Sequence, residues 1–343
     1  MSRTTIKDIA RECGVSLSTV SLVLNGNPRI SARTRDLVMA AVEKHGYQPN
    51  AAARGLASRS SRTLSVVVPP LSHVFADVYF GEIVSGIYDR ASEEGYKVLL
   101  DLANEKFVAE KEYLKMLRSR RADGMLFISS SIHDTYLADF ESASFPFMLV
   151  NHFIPGSSIN YVVADYRDTA RQAVDHLVGL GHRKIGLISG TNTHTGLAFR
   201  DAFQQCARER GLPEGAVVWM DSLHGKDWSQ EGGLATAREL LARHRDLTAI
   251  MAGNDRLAIG VLRHLLSQGL KVPQDVSVMG VDDIPESAYT HPALTTVRHD
   301  LYGIGRAACD RLLAIFRQQS ASCQETLPVQ LMPRESTGPA RPA

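Results

Sequence analysis

Residues 5–24 read TIKDIARECGVSLSTVSLVL, and this stretch predicts two short helices joined by a tight turn. Ile6, Ile9 and Cys13 recur at the spacing of one helical face, which indicates that this face is buried. Gly14 then ends the first helix, because glycine accepts the left-handed conformation of a helix C-terminus. The quoted residues therefore predict a compact pair of helices.

The second and third helices follow from similar signals. Ser16 is a suitable N-cap for a helix over residues 17–24, and NGNP at residues 25–28 stops that helix. Ser31 caps a third helix over residues 32–45, which Gly46 terminates. The side chains predicted to face inward from these two helices are Val20, Val23, Leu24, Leu37, Val38, Ala41 and Val42.

Three short helices with a glycine turn between the first two form a helix-turn-helix unit, whose second helix is narrow enough to enter the major groove of DNA. The charge distribution supports a polyanionic partner. Residues 1–62 hold ten of the 38 Lys and Arg residues but four of the 37 Asp and Glu residues, a net charge of +6 against −5 for the rest. From periodicity alone, the alternative is a small helical bundle that contacts another protein.

Several short motifs of this head resemble those of the lac repressor (LacI/GalR) family of bacterial transcriptional regulators. They are IKDIA at residues 6–10, GVS at 14–16, STVS at 18–21, LNG at 24–26, SxxTR at 31–35 and GYxPN at 46–50. The resemblance continues to about residue 338. It implies a helix-turn-helix DNA-binding domain over residues 1–49, followed by a hinge helix and linker over residues 50–62.

The resemblance also implies which residues of the head contact operator DNA. Leu17, Ser18 and Leu22 lie at the positions that read bases. Leu22 departs from the Arg that is frequent there and cannot make a bidentate contact to guanine, so we expect it to contact a thymine methyl group or to contribute little. The other DNA-contacting residues expected in this domain and its C-terminal boundary, several of them against phosphates, are Thr5, Thr19, Ser21, Asn25, Ser31 and Asn50.

Residues 50–58 read NAAARGLAS, and their alanines favour a helix that is too short to be stable alone. Taken without the resemblance, this segment would be a flexible linker. The resemblance implies a hinge helix that orders when two subunits pair over the operator centre. Leu56 would then enter the minor groove as an apolar wedge that kinks the duplex, Ala53 would line that groove, and Arg54 would contact the backbone.

From residue 63 onward, short apolar segments alternate with amphipathic helices, which predicts parallel sheets covered by helices on both faces. Predicted strands include residues 97–102, 124–128 and 249–252, and one predicted helix spans residues 108–121. The predicted fold is therefore a small all-α helix-turn-helix head plus an α/β body of two doubly wound parallel-sheet subdomains, similar to periplasmic binding proteins.

In the family form, the chain crosses back between the two subdomains. The resemblance therefore implies an effector-binding and dimerisation domain over residues 63–338 and a tail over residues 339–343. Its segments would be about 63–163 and 296–322 for the N-subdomain, and about 164–295 and 323–338 for the C-subdomain. Two adjacent parallel sheets leave a cleft between them, where a small ligand usually binds.

Polar and aromatic residues near predicted strand ends are the candidates for ligand binding in this cleft. Asn254 and Asp282 match cleft motifs of the family and are expected to hydrogen-bond ligand hydroxyl groups. Asn151 matches a third cleft position, and Trp228 lies where sugar-binding members stack an aromatic ring. For residues other than Asn254 and Asp282, a structural role is an open alternative. The expected walls of the cleft are Tyr79, Phe80 and Ser129.

One departure from the family concerns a cationic contact to the ligand. The family commonly has an Arg at the start of a helix, followed after two residues by Gly and an aromatic residue, whereas residues 198–203 read AFRDAF. Alignment on Phe203 and Gly211 places Phe199 in the Arg position. Either the helix start is shifted so that Arg200 still reaches the cleft, or this chain lacks that contact. An Arg there would favour a carboxylate or polyhydroxy ligand.

The sequence offers no residue set for catalysis, a cofactor or a metal. GxSxG, HExxH and GxxxxGKS do not occur, and neither the 12 His nor the four Cys residues have metal-ligand spacing. Residues 179–184 read GLGHRK, but they follow a helix and precede a strand, so a helix C-cap is expected instead of a phosphate loop. No enzyme activity is therefore expected. The charged residues among the first twelve argue against a signal peptide, and the apolar segments are too short to span a membrane.

These observations predict a cytoplasmic homodimer that represses transcription. Its two heads would bind half-sites of a pseudo-palindromic operator in double-stranded DNA, and a small effector, such as a sugar or sugar derivative, would change the DNA affinity. Four prolines after residue 327, and no heptad repeat, argue against a C-terminal coiled-coil tetramer. The main alternative is a sugar-binding receptor without DNA function, and the second is an enzyme acting on sugars or nucleotides.

Overall fold

A computed structural model gives the fold of two separate units, a head unit, Met1–Ser61, and a body unit, Arg62–Ala343. Each unit has apolar cores of its own. The residues that the structure describes are 4–24, 26–47, 60–71, 74–140, 145–222, 228–317 and 322–342.

The described part of the head contains three helices, and the second and third begin at side-chain caps. They are α1 (Ile6–Glu12), α2 (Leu17–Leu24) and α3 (Ala32–Lys44). The Ser16 hydroxyl accepts a hydrogen bond from the backbone N–H of Thr19 at 3.0 Å, and the Ser31 hydroxyl accepts one from that of Thr34 at 3.3 Å. These bonds satisfy N–H groups that a helix start leaves unpaired, so the predicted caps are confirmed.

The core of the head follows the predicted apolar faces with one exception. Ile9, Val20 and Val38 are completely buried where the three helices meet. Leu37 was predicted to face inward, and that prediction is wrong because its side chain is 50% exposed. Leu37 lies about 100° around α3 from Val38, beyond the edge of the narrow face that contacts α1 and α2.

The body contains two six-stranded sheets. The first has the strand order β11-β5-β4-β3-β1-β2 with every pair of neighbours parallel. The second has the order β12-β10-β9-β8-β6-β7, parallel except for the antiparallel pair of β12 and β10. The strands are β1 (Thr63–Val68), β2 (Lys97–Leu102), β3 (Gly124–Ile128), β4 (Phe147–Val150), β5 (Tyr161–Ala164), β6 (Ile185–Ser189), β7 (Val217–Asp221), β8 (Ala249–Ala252), β9 (Ser277–Asp282), β10 (Thr295–Arg298), β11 (Gln324–Leu327) and β12 (Gln330–Met332).

Helices cover both faces of each sheet, as the fold prediction requires, and each face carries its own buried apolar cluster. The helices of the first subdomain are α4 (Val78–Glu93), α5 (Glu105–Ala109), α6 (Glu112–Arg118) and α11 (Leu301–Phe316). Those of the second are α7 (Tyr166–Gly179), α8 (His194–Glu209), α9 (Gln230–Arg243) and α10 (Asp255–Ser267).

Some predicted boundaries differ from the structure. The single helix expected over residues 108–121 is instead two helices, because Lys111 adopts a left-handed backbone conformation with φ 50° between α5 and α6. The chain also crosses between the subdomains later than expected, since β10 still belongs to the second sheet and β11 to the first. The segment GLGHRK is a helix end, as predicted, with Gly181 at φ +90° after α7.

The described residues contain neither a membrane-spanning helix nor a cluster of metal ligands. No helix in the described ranges is both long and apolar enough to cross a membrane. The same ranges contain no group of three or more His, Cys, Asp or Glu side chains placed to hold a metal ion.

Candidate functional site

The outward face of α2 presents two leucines to solvent. Leu17 is 44% exposed and Leu22 is 39% exposed, and Ser18 beside them is exposed as well. These three residues are the ones predicted to read bases. Their exposure leaves them available to a partner instead of committing them to the core of the head.

The polar candidates of the head combine exposure with local hydrogen bonds. Thr5 donates its backbone N–H and its hydroxyl to the Asp8 carboxylate at 2.9 and 2.7 Å, and the Thr19 hydroxyl lies 2.9 Å from that of Ser16. Ser31 is exposed and caps α3, whereas Ser21 is half-buried. The remaining predicted DNA contacts, Asn25, Asn50, Ala53, Arg54 and Leu56, lie outside the described residues.

In the body, three predicted cleft residues stand at the carboxyl ends of strands in strained conformations. Ser129 follows β3, Asn151 follows β4 and Asp282 ends β9, with φ values of 50°, 49° and 105°. Non-glycine residues rarely adopt positive φ, and such strain concentrates at ligand sites where the surrounding structure enforces it. The strained residues therefore lie at the carboxyl ends of interior strands in both sheets.

Hydrogen bonds join the candidates of the first subdomain. The Tyr79 hydroxyl lies 2.7 Å from the Ser129 hydroxyl and accepts a bond of 2.9 Å from the side-chain amide of Asn151. Asn151 in turn accepts the backbone N–H of Ala164 at 3.1 Å. Burial, with the charge of Asp282 adding to it, raises the pKa of Tyr79. Tyr79 is therefore a neutral hydroxyl that can both donate and accept.

Asp282 brings the second subdomain into the same cluster. His299 is fully buried, and its Nδ1 lies 3.4 Å from the Asp282 carboxylate while its Nε2 lies 2.9 Å from the Thr169 hydroxyl. The Tyr166 ring meets the His299 ring edge-on at 5.2 Å. Burial raises the pKa of Asp282, and His299 opposes that shift. The sequence did not predict Tyr166 and His299, because neither belongs to a motif that resembles the family.

A second carboxylate, Asp255, supports the loop that follows Asp282. Its oxygens accept hydrogen bonds from the Thr296 hydroxyl at 2.6 Å, the Ser287 hydroxyl at 2.7 Å and the Ile284 backbone at 3.0 Å. Burial, followed by the charge of Asp282, raises the pKa of Asp255 to about 8. Its three donors tie the start of α10 to the segment that follows the strained turn, so Asp255 helps to fix the position of Asp282.

Trp228 lies over glycine residues of the second subdomain. A Cβ atom at Gly190 would lie 2.7 Å from the Trp228 ring, one at Gly196 would lie 3.2 Å away, and one at Gly253 would lie 3.1 Å away. The three glycines thus make room for the indole ring. Its Nε1–H donates to the Asn192 side-chain oxygen at 2.9 Å, which fixes the orientation of the ring.

Asn254 connects this ring to α10. Its side-chain amide donates to the backbone carbonyl of Trp228 at 3.2 Å, and its side-chain oxygen caps α10 by accepting the Leu257 N–H at 2.8 Å. Asn254 is therefore a helix cap that also holds the backbone of Trp228, the residue whose ring is the candidate stacking surface for a sugar.

The structure removes Arg200 from the candidate site. The Arg200 guanidinium pairs with Asp201 at 2.7 Å and lies over the Trp219 ring at 5.1 Å, on the edge strand β7. Phe199 is 1% exposed and packs in the core under α8. Because successive residues of a helix point about 100° apart, the side chain of Arg200 is directed away from that inward face. Phe80 also lies in a core, with its ring edge-on to Tyr79 at 5.1 Å, and it supports that wall residue from behind.

Contacts that the sequence did not predict join the two subdomains across the cleft. The Ile132 backbone N–H donates to the Asn192 carbonyl at 2.9 Å, and the Arg256 guanidinium donates to the Asp77 carboxylate. The cleft is therefore closed in this structure.

His152 and His194 face each other between the subdomains with ring centroids 5.7 Å apart. His152 is completely buried, and neither of its ring nitrogens has a hydrogen-bond partner among the described residues. Burial lowers the pKa of His152 to about 3, so its imidazole is neutral at physiological pH.

Comparison with known proteins agrees with both halves of this architecture. Residues 5–50 match the model of bacterial regulatory proteins of the lacI family, and residues 174–337 match a periplasmic binding protein-like domain. Catabolite control protein A of Priestia megaterium is 32% identical over 97% of this chain and 99% of that protein. The HTH-type transcriptional regulator GalS of Salmonella typhimurium is 35% identical over 90% of this chain and 89% of that protein.

Solved structures extend the similarity to the fold of the whole chain. The lac repressor dimer bound to operator and the anti-inducer ONPF has a TM-score of 0.86 at 28% identity, covering 98% of this chain and 100% of that one. The complex of the transcriptional regulator CelR with cellobiose has a TM-score of 0.72 at 28% identity, covering 97% of this chain and 100% of that one.

A helix-turn-helix head joined to a two-sheet body with a polar cleft defines a DNA-binding transcriptional regulator that responds to a small molecule. The chain belongs to the lacI family of bacterial regulatory proteins. The resemblance inferred from the head motifs is thereby confirmed, as is the predicted fold class.

Proposed function

We propose that this chain is a cytoplasmic, homodimeric repressor whose affinity for a pseudo-palindromic operator is set by an effector bound in the cleft. The observation that carries the proposal is the hydrogen-bonded cluster of Tyr79, Ser129 and Asn151 in one subdomain, which lies close enough to Asp282 of the other for that charge to raise the pKa of Tyr79. A ligand that hydrogen-bonds to both sides favours one arrangement of the two subdomains over another. The hinge over residues 50–62 would transmit that preference to the head.

The effector class that this chemistry favours is a sugar or a sugar derivative. The Trp228 ring offers a flat apolar face, and Asn151 and Asp282 offer amide and carboxylate groups for hydroxyls. Among the relatives with solved structures, CelR was solved with cellobiose. Arg200 pairs with Asp201, so it does not supply the guanidinium contact that would favour an anionic ligand.

A thermal-shift screen of sugars, sugar acids and purines on the full chain tests the effector proposal. A ligand that binds the folded state raises the melting temperature in a concentration-dependent way. Asp282→Asn should abolish the shift, whereas Arg200→Gln should preserve it. If no sugar or sugar derivative raises the melting temperature, or if Arg200→Gln abolishes the shift, this assignment of the cleft fails.

For the head, we propose that Leu17, Ser18 and Leu22 contact bases and that Thr5, Thr19, Ser21 and Ser31 position the head against the backbone. Selection from random duplexes should enrich a pseudo-palindrome, and its absence at moderate salt would refute the regulator function. Leu22→Ala should then weaken binding to the selected duplex by about 1 kcal/mol through loss of an apolar base contact. The control Leu37→Ala removes a leucine of α3 that is even more exposed, at 50% against 39% for Leu22, and should leave binding to the duplex unchanged.

The homodimer is supported by an apolar edge of the first sheet. Leu99 and Leu100 of the edge strand β2 are 36% and 43% exposed, and exposed leucines on a sheet edge favour association with another chain. We expect Leu100→Lys to shift the sedimentation of the protein from dimer toward monomer. An unchanged dimer would place the interface elsewhere.

The alternative of a sugar receptor without DNA function would use the same cleft. The match of residues 5–50 to the lacI family favours the regulator, because a receptor has no need of a base-reading helix. The duplex selection described above separates these two functions.

A further inference from the structure

Two charged side chains meet across the cleft beside the candidate effector residues. Asp77 is the N-cap of α4 in the first subdomain, and its Oδ1 accepts the backbone N–H of Tyr79 at 3.1 Å. Its other oxygen accepts a hydrogen bond from the guanidinium of Arg256 on α10 in the second subdomain. The Nε of Arg256 also donates to the side-chain oxygen of Gln230 on α9 at 3.2 Å. One carboxylate therefore links the start of α4 to two helices of the other subdomain.

The burial of this pair makes it stronger than an ordinary surface pair. The side chain of Asp77 is 12% exposed and that of Arg256 is 30% exposed. Charges held partly away from water attract each other more strongly than charges in full solvent contact. Opening the cleft would separate them, and the buried Asp77 carboxylate would lose its cation.

The position of the pair connects it to ligand binding. Arg256 lies two residues after Asn254, and Asp77 lies two residues before Tyr79. We propose that Asp77 and Arg256 form an ion-pair latch that favours the closed cleft, so that Arg256 positions Tyr79 through Asp77 for the effector. This inference rests on the proposed function of the cleft. It adds that an ion pair contributes to the stability of the closed form.

The structure also supplies a reporter of closure. The Ile132 N–H donates across the cleft to the Asn192 carbonyl, so its exchange with deuterium requires that the cleft opens. This bond is neutral, whereas the latch is charged. Raising the salt concentration should therefore weaken the latch and leave the Ile132 bond itself unaltered.

Hydrogen exchange of the full chain, followed by mass spectrometry of peptides containing Ile132, tests the latch without effector or DNA. We expect Arg256→Gln to speed exchange about five- to tenfold at low ionic strength, and Arg256→Lys to keep most of the protection because it keeps the charge. Asp77→Asn preserves an oxygen that caps α4, and its Ile132 exchange rate should equal that of Arg256→Gln. The double variant should exchange no faster than either single variant, because each one already breaks the same pair.

The control is Arg210→Gln, which removes a 2.6 Å pair between Arg210 and Asp175 within the second subdomain and should leave Ile132 exchange at the wild-type rate. The wild-type rate should approach that of Arg256→Gln as salt rises to about 0.5 M. Unchanged exchange in Arg256→Gln, additive effects in the double variant, or equal loss of protection in Arg256→Lys would each overturn the latch. Because no effector or operator is used, failure of the proposed function would appear only in the thermal-shift and duplex-selection assays.

Discussion

The replacement Gly190→Ala tests whether the glycines under Trp228 determine where its ring lies. Gly190 has a backbone conformation that alanine can adopt, so the effect comes from the added methyl group alone. That Cβ would lie 2.7 Å from Cζ2 and 2.8 Å from Cε2 of the indole. Carbon atoms in contact normally lie about 3.5–4.0 Å apart, so the ring must move by roughly 0.8 Å or more.

The cost of this movement can be bounded. Inserting one methyl group into a packed region typically lowers the free energy of unfolding by about 1–3 kcal/mol, while reduced freedom of the unfolded chain returns about 0.4–1 kcal/mol. We therefore expect a net loss of about 1–2 kcal/mol. The hydrogen bond of 2.9 Å from the Trp228 Nε1–H to Asn192 would also be strained or broken.

Urea unfolding and tryptophan fluorescence together measure this effect. The chain has two tryptophans, so a Trp219→Phe background leaves Trp228 as the only emitter. Gly190→Ala should shift its emission and weaken binding of any sugar identified in the thermal-shift screen. The control Gly179→Ala adds a methyl group in open space at the end of α7 and should be neutral or stabilising by up to about 1 kcal/mol. Unchanged emission together with wild-type stability in Gly190→Ala would refute the reasoning.

Two further predictions concern stability. Gly305→Ala should lower the free energy of unfolding by about 3 kcal/mol in urea, because its Cβ would lie 2.1 Å from the Ile83 carbonyl of α4, a backbone atom that cannot yield easily; stability equal to that of Gly179→Ala would contradict this. His182 should make the protein sensitive to acid, because burial lowers its pKa to about 4 from an unfolded value of 6.5. The unfolded chain takes up this proton below pH 6.5, whereas the folded chain resists it down to about pH 4, so roughly 3 kcal/mol of stability is lost progressively as the pH falls from 6.5 to 4. Thermal unfolding between pH 7 and pH 4 should thus be less pH-dependent for His182→Asn than for wild type, while the exposed-residue control His133→Gln should follow wild type.

Local signals were sufficient to predict most elements of this fold. The strands β2, β3 and β8 begin and end at the predicted residues, because each is a short, largely apolar run. The break at Lys111 was not predictable, since a left-handed lysine carries no sequence signal. The short strands β5, β10 and β11 were missed because their pairing depends on residues far away in the chain.

The candidate site was predictable only where one residue carried the signal. Asn151 and Asp282 stand at strand ends, which the alternation of strands and helices reveals. Asp77 and Arg256 meet through the arrangement of two subdomains, and a contact between positions 179 residues apart leaves no local pattern. Arg200 was a candidate that the structure does not support. It lies one residue after the position of the family Arg, and on a helix that displacement turns a side chain by about 100°.

The discontinuous subdomains also bear on how the chain acquires its structure. The first sheet is complete only when β11 pairs with β5, and its helical layer requires α11 against α4. During synthesis, the first subdomain must therefore wait for residues 301–327, although its opening strand appears at residue 63. The described helices of the head pack into a core of their own, so the head can fold long before. A chain that ends at residue 300 should thus have a folded head. Its N-subdomain would keep one sheet face uncovered and would be prone to aggregation and proteolysis.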